Sequence, residues 1–288
     1  MSYITVNGIE TYYERLGEGH PIVFIHGGGW DSRHWEPQFT ALADEYELIR
    51  YDVRGHGQTG GSDEARVTHD TLAQDLKELI EALELDNPTL VGLSMGGRIA
   101  HICAATYPDI AGSLVTYEAP LKNGDDERRS LTLKLHSSLV TGVLRLLGPR
   151  RAVIIQHWLR TRLGDMEVED EDKVIDGVEL TKKEYVLDAA GQMTTREQLK
   201  ILRTLEHRVD TPAEITIPAL ILTGDGPSSF NIDAADRLAE QIPNARRETI
   251  PDAGHAGNFD NPDAFNRGLR EFINEVHSQP TRSTTEPL

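Results

Sequence analysis

Short apolar runs separated by polar and turn residues divide much of the chain into predicted strands and helices. Runs of four or five aliphatic and β-branched residues fit strands that are buried on both faces of a parallel sheet. Six segments have this character or a strand-like alternation: 21–25, 46–50, 88–91, 113–116, 219–223 and 246–249. Helical patterns at 97–105, 233–241 and 262–276 lie between or after them. At the N-terminus, segments 4–6 and 10–15 flank Asn7-Gly8, a dipeptide typical of hairpin turns. The pattern predicts an α/β protein.

The middle of the chain departs from this alternation of strand and helix. No convincing strand is visible between Pro120 and about Thr211, and the apolar spacing there is helical. Four helices are predicted, at 128–147, 149–163, 182–193 and 194–207. The expected organisation is a core formed by residues 1–120 and 213–277, an inserted helical segment at 121–212, and a flexible tail at 278–288.

Composition favours a cytoplasmic protein with no membrane association. The chain has 288 residues, enough for one large domain with an insertion, and a single cysteine, which excludes an internal disulfide and fits a reducing compartment. The first residues show neither a basic leader nor an apolar signal segment. No apolar run approaches the length needed to span a bilayer.

The charge is strongly negative and is carried by an unusual set of side chains. The formal net charge is −18, from 47 acidic and 29 basic residues, and the basic residues are 7 lysines and 22 arginines. Such a balance argues against nucleic acid as a partner, because phosphates require a basic face. An acidic, lysine-poor surface resembles that of salt-adapted proteins, and an ordinary acidic enzyme is the alternative.

The segment Gly92-Leu93-Ser94-Met95-Gly96 has the G-x-S-x-G pattern. It follows the apolar run 88–91 and precedes the helical stretch 97–105, and in this context the serine hydroxyl is exposed on a sharp turn at the end of the sheet. Small residues two positions before and after the serine let strand and helix pass closely. The helix N-terminus favours a developing negative charge. The pattern indicates Ser94 as a nucleophile.

A glycine-rich loop, His26-Gly27-Gly28-Gly29, follows the first parallel strand. Loops of this kind supply a backbone N–H to an oxyanion hole, and glycine allows close approach to the substrate oxygen. Gly28 is the predicted donor, and Gly29 is an alternative one residue away. Met95, the residue after the nucleophile, supplies the second N–H.

A histidine lies far downstream of the serine, in the loop that follows the predicted strand 246–249. The order serine, acid, histidine places the general base of a catalytic triad in such a loop. This position identifies His255 as the candidate base.

These segments together resemble the α/β-hydrolase family. The resemblance is carried by His26-Gly27-Gly28, by residues 52–57 (Asp-Val-Arg-Gly-His-Gly), by Gly92 to Gly97 and by Gly254-His255, and it covers roughly residues 3–120 and 213–277. It implies an eight-stranded, mostly parallel sheet flanked by helices. It also implies that segment 121–212 is a helical cap over the active site. The serine nucleophile differs from the Asp that haloalkane dehalogenases and epoxide hydrolases of the family carry.

Two carboxylates are candidates for the acid of the triad. The family often places an Asp three residues after the glycine that ends the seventh strand, and here Pro227 holds that position, with Asp225 two residues earlier. Glu118 follows the predicted sixth strand, where it can reach Nδ1 of His255 and fix its tautomer. This placement resembles the zearalenone lactonase-like members, whose triad glutamate follows strand six. Glu118 is the preferred acid and Asp225 the alternative.

Three residues are predicted to line the substrate pocket: Trp30, His34 and Trp158. For Trp30 and His34 the alternative is simple packing within their loop. Two further histidines are assigned structural roles. His26 is predicted to order the oxyanion loop through a hydrogen bond, and His56 to form part of a turn near the rim of the site.

The resemblance and the motifs imply a serine hydrolase that cleaves a small-molecule carboxylic ester or lactone through an acyl-enzyme. No cofactor or metal is expected, because the sequence lacks metal-ligand spacing and the chemistry needs none. The same triad could serve carbon–carbon bond hydrolysis or cofactor-free perhydrolysis. A slow-turnover ligand receptor of the same fold is a further alternative. The protein is expected to be a monomer or a homodimer.

Overall fold

The structure is a computed structural model that describes residues 2–61, 66–119, 141–162, 172–175, 178–205, 214–226 and 232–277. Its centre is an eight-stranded sheet. The strands of this sheet are β1 (Ser2–Val6), β2 (Ile9–Leu16), β3 (Pro21–Ile25), β4 (Glu47–Tyr51), β5 (Thr89–Leu93), β6 (Ser113–Tyr117), β9 (Ala219–Gly224) and β10 (Ala245–Ile250). Their order in the sheet is β1-β2-β4-β3-β5-β6-β9-β10. The first two strands form an antiparallel hairpin, β2 pairs antiparallel with β4, and the remaining neighbours are parallel. The predicted eight-stranded, mostly parallel sheet is confirmed.

The central parallel strands form where apolar runs predicted them, because helices cover both faces of the sheet there. Every residue of β3, β5, β6 and β9 is buried. Successive side chains point to opposite faces, so Val23 and Ile25 contact one apolar cluster and Ile22 and Phe24 the other. Continuous apolar runs are what a doubly covered parallel sheet requires.

Two helical layers enclose this sheet. Leu76, Ile99 and Leu238 pack on one face, and Phe39 and Phe265 on the other. The first layer contains α2 (His69–Ala82), α3 (Met95–Thr106) and α8 (Ile232–Gln241), and the second contains α1 (Glu36–Leu42) and α10 (Pro262–His277). A 3-10 turn (Ser32–Trp35) precedes α1, and the short helix α9 (Gly257–Asp260) precedes α10.

The inserted segment is mainly helical but contains a hairpin that was not predicted. Its described elements are α4 (141–147), α5 (Pro149–Arg162), β7 (Asp172–Ile175), β8 (Val178–Thr181), α6 (Lys182–Gln192) and α7 (Thr195–Leu205). The expectation of no strand between Pro120 and Thr211 is therefore wrong, because β7 and β8 pair antiparallel. In the sequence Asp176-Gly177 separates the two strands, and Asp-Gly is a hairpin-turn signal. Residues 128–140 of the predicted first helix lie outside the described residues.

Candidate active site

Ser94 occupies a strained turn between β5 and α3. Its φ is +53° and its ψ is −112°, an uncommon conformation for a residue with a side chain. The turn is possible because its flanking glycines lack a Cβ. A Cβ on Gly92 would overlap the backbone of Gly96, and one on Gly96 would overlap the carbonyl oxygen of Ile25. The G-x-S-x-G spacing is thus a steric requirement of this turn.

Glu118 directly follows the neighbouring strand β6, at the same height in the sheet at which Ser94 follows β5. Leu93 and Tyr117 are register partners in β5 and β6, so the next residues, Ser94 and Glu118, both emerge at the carboxyl edge of the sheet. Glu118 also has a positive φ, +48°. Two backbone hydrogen bonds hold the pair of turns: Ser94 N–H donates to the Tyr117 oxygen at 2.9 Å, and Glu118 N–H donates to the Leu222 oxygen at 3.1 Å.

The structure brings Glu118 and His255 together. Oε2 of Glu118 lies 3.8 Å from Nδ1 of His255, and the Glu118 side chain is fully buried, whereas that of His255 is 27 % exposed. The other carboxylate oxygen, Oε1, accepts a hydrogen bond from Gly224 N–H at 3.4 Å. Asp225, the alternative acid, is exposed. A carboxylate held away from water beside Nδ1 favours the tautomer that a general base requires.

The loop that carries His255 is fixed by the ends of two strands. The Tyr117 hydroxyl, at the end of β6, donates to the Gly254 oxygen at 2.5 Å, and Gly226 N–H, after β9, donates to the Ala253 oxygen at 2.8 Å. Asp260 accepts from Gly254 N–H at 2.9 Å. Burial raises the pKa of Tyr117, so its hydroxyl stays protonated and keeps this donor. The position of His255 relative to Glu118 therefore depends on β6 itself.

The glycine loop after β3 lies beside the nucleophile turn. Gly29 has a φ of +82°, and its N–H donates to Nε2 of His56 at 3.1 Å. Because this hydrogen bond occupies the Gly29 N–H, Gly28 is favoured as the donor to the oxyanion. Met95, the other predicted donor, is the first residue of α3, where backbone N–H groups have no acceptor within the helix.

The predicted pocket residues have different surroundings. Trp30 is half-buried, stacks on His34 with ring centroids 4.1 Å apart, and lies 6.1 Å from His255 between centroids. His34 is only 2 % exposed, and its Nε2 contacts Oδ1 of Asn258 at 3.0 Å. His34 therefore lies behind Trp30, in agreement with the packing alternative. The side chain of Trp158, on α5, lies outside the described part of the chain.

A link between the core and the inserted segment was missed by sequence reasoning. The Tyr185 hydroxyl on α6 donates to Oδ1 of the buried Asp31 at 3.1 Å, and the Tyr185 ring stacks near His34, with centroids 5.9 Å apart. Arg33 bridges Asp31 and Asp188 at 2.7 and 2.8 Å. No motif marks these residues, because their roles arise only when α6 contacts the loop after β3.

Other potential ligand sites lie away from Ser94. A cavity of about 530 Å³ is lined by Pro218, Asn244 and Phe272, at the amino ends of β9 and β10, opposite the edge that carries Ser94 and Glu118. Within the described residues, His, Cys, Asp and Glu side chains form no group of three or more that could hold a metal ion. Among the same residues, no helix is both long and apolar enough to cross a bilayer.

Comparison with known proteins gives consistent matches over almost the full chain. A family model described as alpha/beta hydrolase fold matches residues 20–262. A non-heme chloroperoxidase of Kitasatospora aureofaciens is 29 % identical over 94 % of this chain and 98 % of its own. A bromoperoxidase from Bacillus anthracis has a TM-score of 0.78 at 26 % identity, covering 95 % of this chain and 100 % of that one. An esterase from Exiguobacterium antarcticum has a TM-score of 0.79 at 21 % identity, covering 95 % and 99 %.

Proposed function

The chain belongs to the α/β-hydrolase family, and on that premise we propose that it is a serine hydrolase acting on a carboxylic ester or lactone. The observation that carries the proposal is the placement of Ser94 and Glu118 at adjacent strand ends, with His255 Nδ1 3.8 Å from the Glu118 carboxylate. A strained serine at the end of the strand next to that of a histidine-bound carboxylate fits the arrangement that activates a hydroxyl for attack on a carbonyl.

The proposed reaction has two steps. His255 takes the proton of Ser94 as the serine oxygen attacks the substrate carbonyl, and Glu118 stabilises the imidazolium. The N–H groups of Gly28 and Met95 donate to the tetrahedral oxyanion, each contributing about 3–4 kcal/mol in comparable sites. Collapse expels the alcohol, which receives the proton from His255. Water then attacks the acyl-enzyme by the same sequence and releases the acid and Ser94.

We assign residues 121–212 to a cap that covers this site. The support is the contact of α6 with the loop after β3, where Tyr185 bonds to Asp31 next to Trp30. Trp30 is half-buried near His255 and is the residue best placed to contact a bound acyl or alcohol group.

A second candidate is perhydrolysis on the same triad. It is favoured by the non-heme chloroperoxidase and bromoperoxidase among the similar proteins. Hydrogen peroxide in place of water would attack the acyl-enzyme, giving a peracid and free Ser94, and a peracid can oxidise bromide. The nucleophile is common to both reactions, so they differ only in the second acyl acceptor.

The test is a Ser94→Ala variant assayed with p-nitrophenyl esters and lactones, with and without hydrogen peroxide. Turnover should fall to the uncatalysed background while the melting temperature stays near that of the wild type. Ser113→Ala is the matched control, because it removes a buried hydroxyl that bonds to Thr89 at the opposite end of the sheet. A fluorophosphonate probe should label wild-type Ser94. More than a few per cent of residual activity in Ser94→Ala would overturn the proposal, and absence of turnover and labelling in the wild type would favour a receptor.

A further inference from the structure

Two buried histidines hold the peptide planes of the glycine loop on either side of Gly28. The first is His26, whose Nε2 accepts the Val53 N–H at 2.9 Å. Its Nδ1 must therefore carry the proton, which it donates to the Gly27 oxygen at 2.8 Å. Burial lowers the pKa of His26 to about 4, so the ring is neutral at physiological pH.

The second histidine, His56, makes the corresponding contacts on the other side. Its Nε2 accepts the Gly29 N–H at 3.1 Å, and its Nδ1 lies 3.2 Å from the carbonyl oxygens of both Val53 and Arg54. This ring also carries its proton on Nδ1, since Nε2 is the acceptor of a hydrogen bond. Burial lowers the pKa of His56 to about 3. The ring therefore connects the glycine loop to the turn after β4 through its two nitrogens.

These contacts determine the direction of the Gly28 N–H. A peptide is planar and trans, so the Gly27 carbonyl and the Gly28 N–H point in opposite directions. With the carbonyl turned toward His26, the Gly28 N–H points away from that ring. The next peptide is fixed by the bond from Gly29 N–H to His56, and Gly29 adopts a φ of +82°. Without His56 that second peptide is free to rotate, because glycine has few steric restrictions.

We propose that His56 is a positioning residue of the oxyanion hole: by accepting the Gly29 N–H it fixes the peptide that follows Gly28, so that Gly28 stays in place and its N–H, oriented through His26, remains directed at the carbonyl oxygen that becomes negative during attack by Ser94. This inference rests on the proposed serine hydrolase function. It assigns a catalytic consequence to the acceptor nitrogen Nε2, beyond the role of the ring in its own turn. A purely structural role would depend on Nδ1, which anchors the turn at Val53 and Arg54.

Two substitutions separate the two nitrogens. The amide of Gln places an acceptor oxygen near the position of Nε2, so His56→Gln can keep the bond to Gly29. The shorter amide of Asn reaches only the position of Nδ1, so His56→Asn can keep the bonds to the carbonyls but not the bond to Gly29. His101→Asn is the matched control, because His101 is also fully buried with a pKa lowered to about 3, yet it lies on α3 and contacts Thr116.

The experiment measures kcat, KM and the inhibition constant of a trifluoromethyl ketone, which forms an oxyanion when it adds to the nucleophilic serine. His56→Asn should lower kcat on the order of 10²-fold. It should raise the inhibition constant of the ketone by a similar factor and change KM less than about threefold. His56→Gln should stay within about fivefold of the wild type in both quantities, and His101→Asn should leave the ratio of ketone affinity to KM unchanged. Equal activity of the Asn and Gln variants, or a loss confined to KM, would overturn the inference.

A measurement on the wild-type protein tests the role of the Gly29–His56 hydrogen bond and does not depend on whether the variants fold. A scalar coupling across the hydrogen bond between the Gly29 amide nitrogen and His56 Nε2 should be present in NMR spectra of the free enzyme and persist with the ketone bound. The Gly28 amide proton should then move strongly downfield, together with that of Met95, whereas the Gly29 amide proton should not. Loss of the coupling, with the downfield shift at Gly29, would overturn the inference. If the wild type neither turns over esters nor binds the ketone, the proposed function fails as well.

Discussion

Replacement of Glu118 by Gln tests the acid of the proposed triad. The substitution keeps the size of the side chain and removes the charge 3.8 Å from His255 Nδ1. At that distance, with an effective dielectric constant of about 20, unit charges attract by about 4 kcal/mol. If this attraction is absent when the imidazolium forms, the barrier rises by a similar amount, which is about 10³-fold in kcat. Loss of the correct tautomer could extend the effect to about 10⁴-fold.

The assay compares kcat for a p-nitrophenyl ester among the wild type, Glu118→Gln and Asp225→Asn. Asp225 is exposed, so Asp225→Asn should lower kcat far less than Glu118→Gln does. Both variants should still react with a fluorophosphonate, because Ser94 and the oxyanion donors remain, although Glu118→Gln should react more slowly. The reverse order, with Asp225→Asn inactive and Glu118→Gln near wild type, would refute the assignment. Large losses in both would show that the two carboxylates share His255.

Three further predictions concern stability. Gly96→Ala should lower the melting temperature by at least about 10 °C, since the new Cβ meets the backbone of Ile25, whereas Gly191→Ala in α6, with open space around it, should not lower it. If the acidic surface is a salt adaptation, the melting temperature should rise steadily between about 0.1 and 2 M KCl, and early saturation would favour an ordinary acidic enzyme. His26 and His56 have folded pKa values of about 4 and 3, below the ordinary 6.5, so their neutral forms stabilise the fold above pH 6.5. The free energy of unfolding, measured by urea titration, should therefore fall by several kcal/mol as the pH falls toward 4. A free energy of unfolding that does not change with pH would contradict the burial of these histidines in their neutral form.

Sequence patterns were sufficient to predict most of the core. The fully buried parallel strands β3, β5, β6 and β9 each have their own apolar run, and Asn7-Gly8 correctly marked the first hairpin, with Asn7 and Gly8 both at positive φ. These features depend on local chemistry: alternation, buried runs and turn residues. The eight-stranded, mostly parallel arrangement was expected from the resemblance to a known family, since no local pattern specifies which strands are neighbours.

The hairpin of β7 and β8 shows where local patterns fail. Each strand has four residues, and together they include Asp172, Lys173, Glu179 and Thr181, so no apolar run distinguishes them. The helical interpretation of the surrounding segment was correct for α5, α6 and α7. A short polar strand is formed by its partner rather than by its own composition. Only the Asp-Gly dipeptide between the strands pointed to a hairpin.

In the candidate site, too, some residues are marked by sequence motifs and others only by tertiary contacts. Ser94, His255 and the glycine loop carry recognisable spacing, so the sequence identified them as candidates. The proposed role of His56 at Gly29, and the link from Tyr185 to Asp31, depend on contacts between residues 27 and 154 positions apart in the chain. Neither pair has a fixed spacing or a residue type reserved for the role, and only the folded arrangement shows which nitrogen or hydroxyl faces which partner.

The backbone gives an indication of function that is independent of these motifs. Ser94 and Glu118 both adopt positive φ, at +53° and +48°, where residues with a Cβ are uncommon and pay about 1–3 kcal/mol each. Asn7, Asn87 and Asp252 share this property, but their short polar side chains tolerate it. Glu84 also has a positive φ, at the position just after the C-cap of α2, where helices commonly end in this conformation. Ser94 and Glu118 end no helix, and a sheet gains no stability from two strained turns at neighbouring strand ends. Both turns carry their residue out of its strand at the edge where the His255 loop is anchored, which is the geometry that a hydroxyl nucleophile and a histidine-bound carboxylate require.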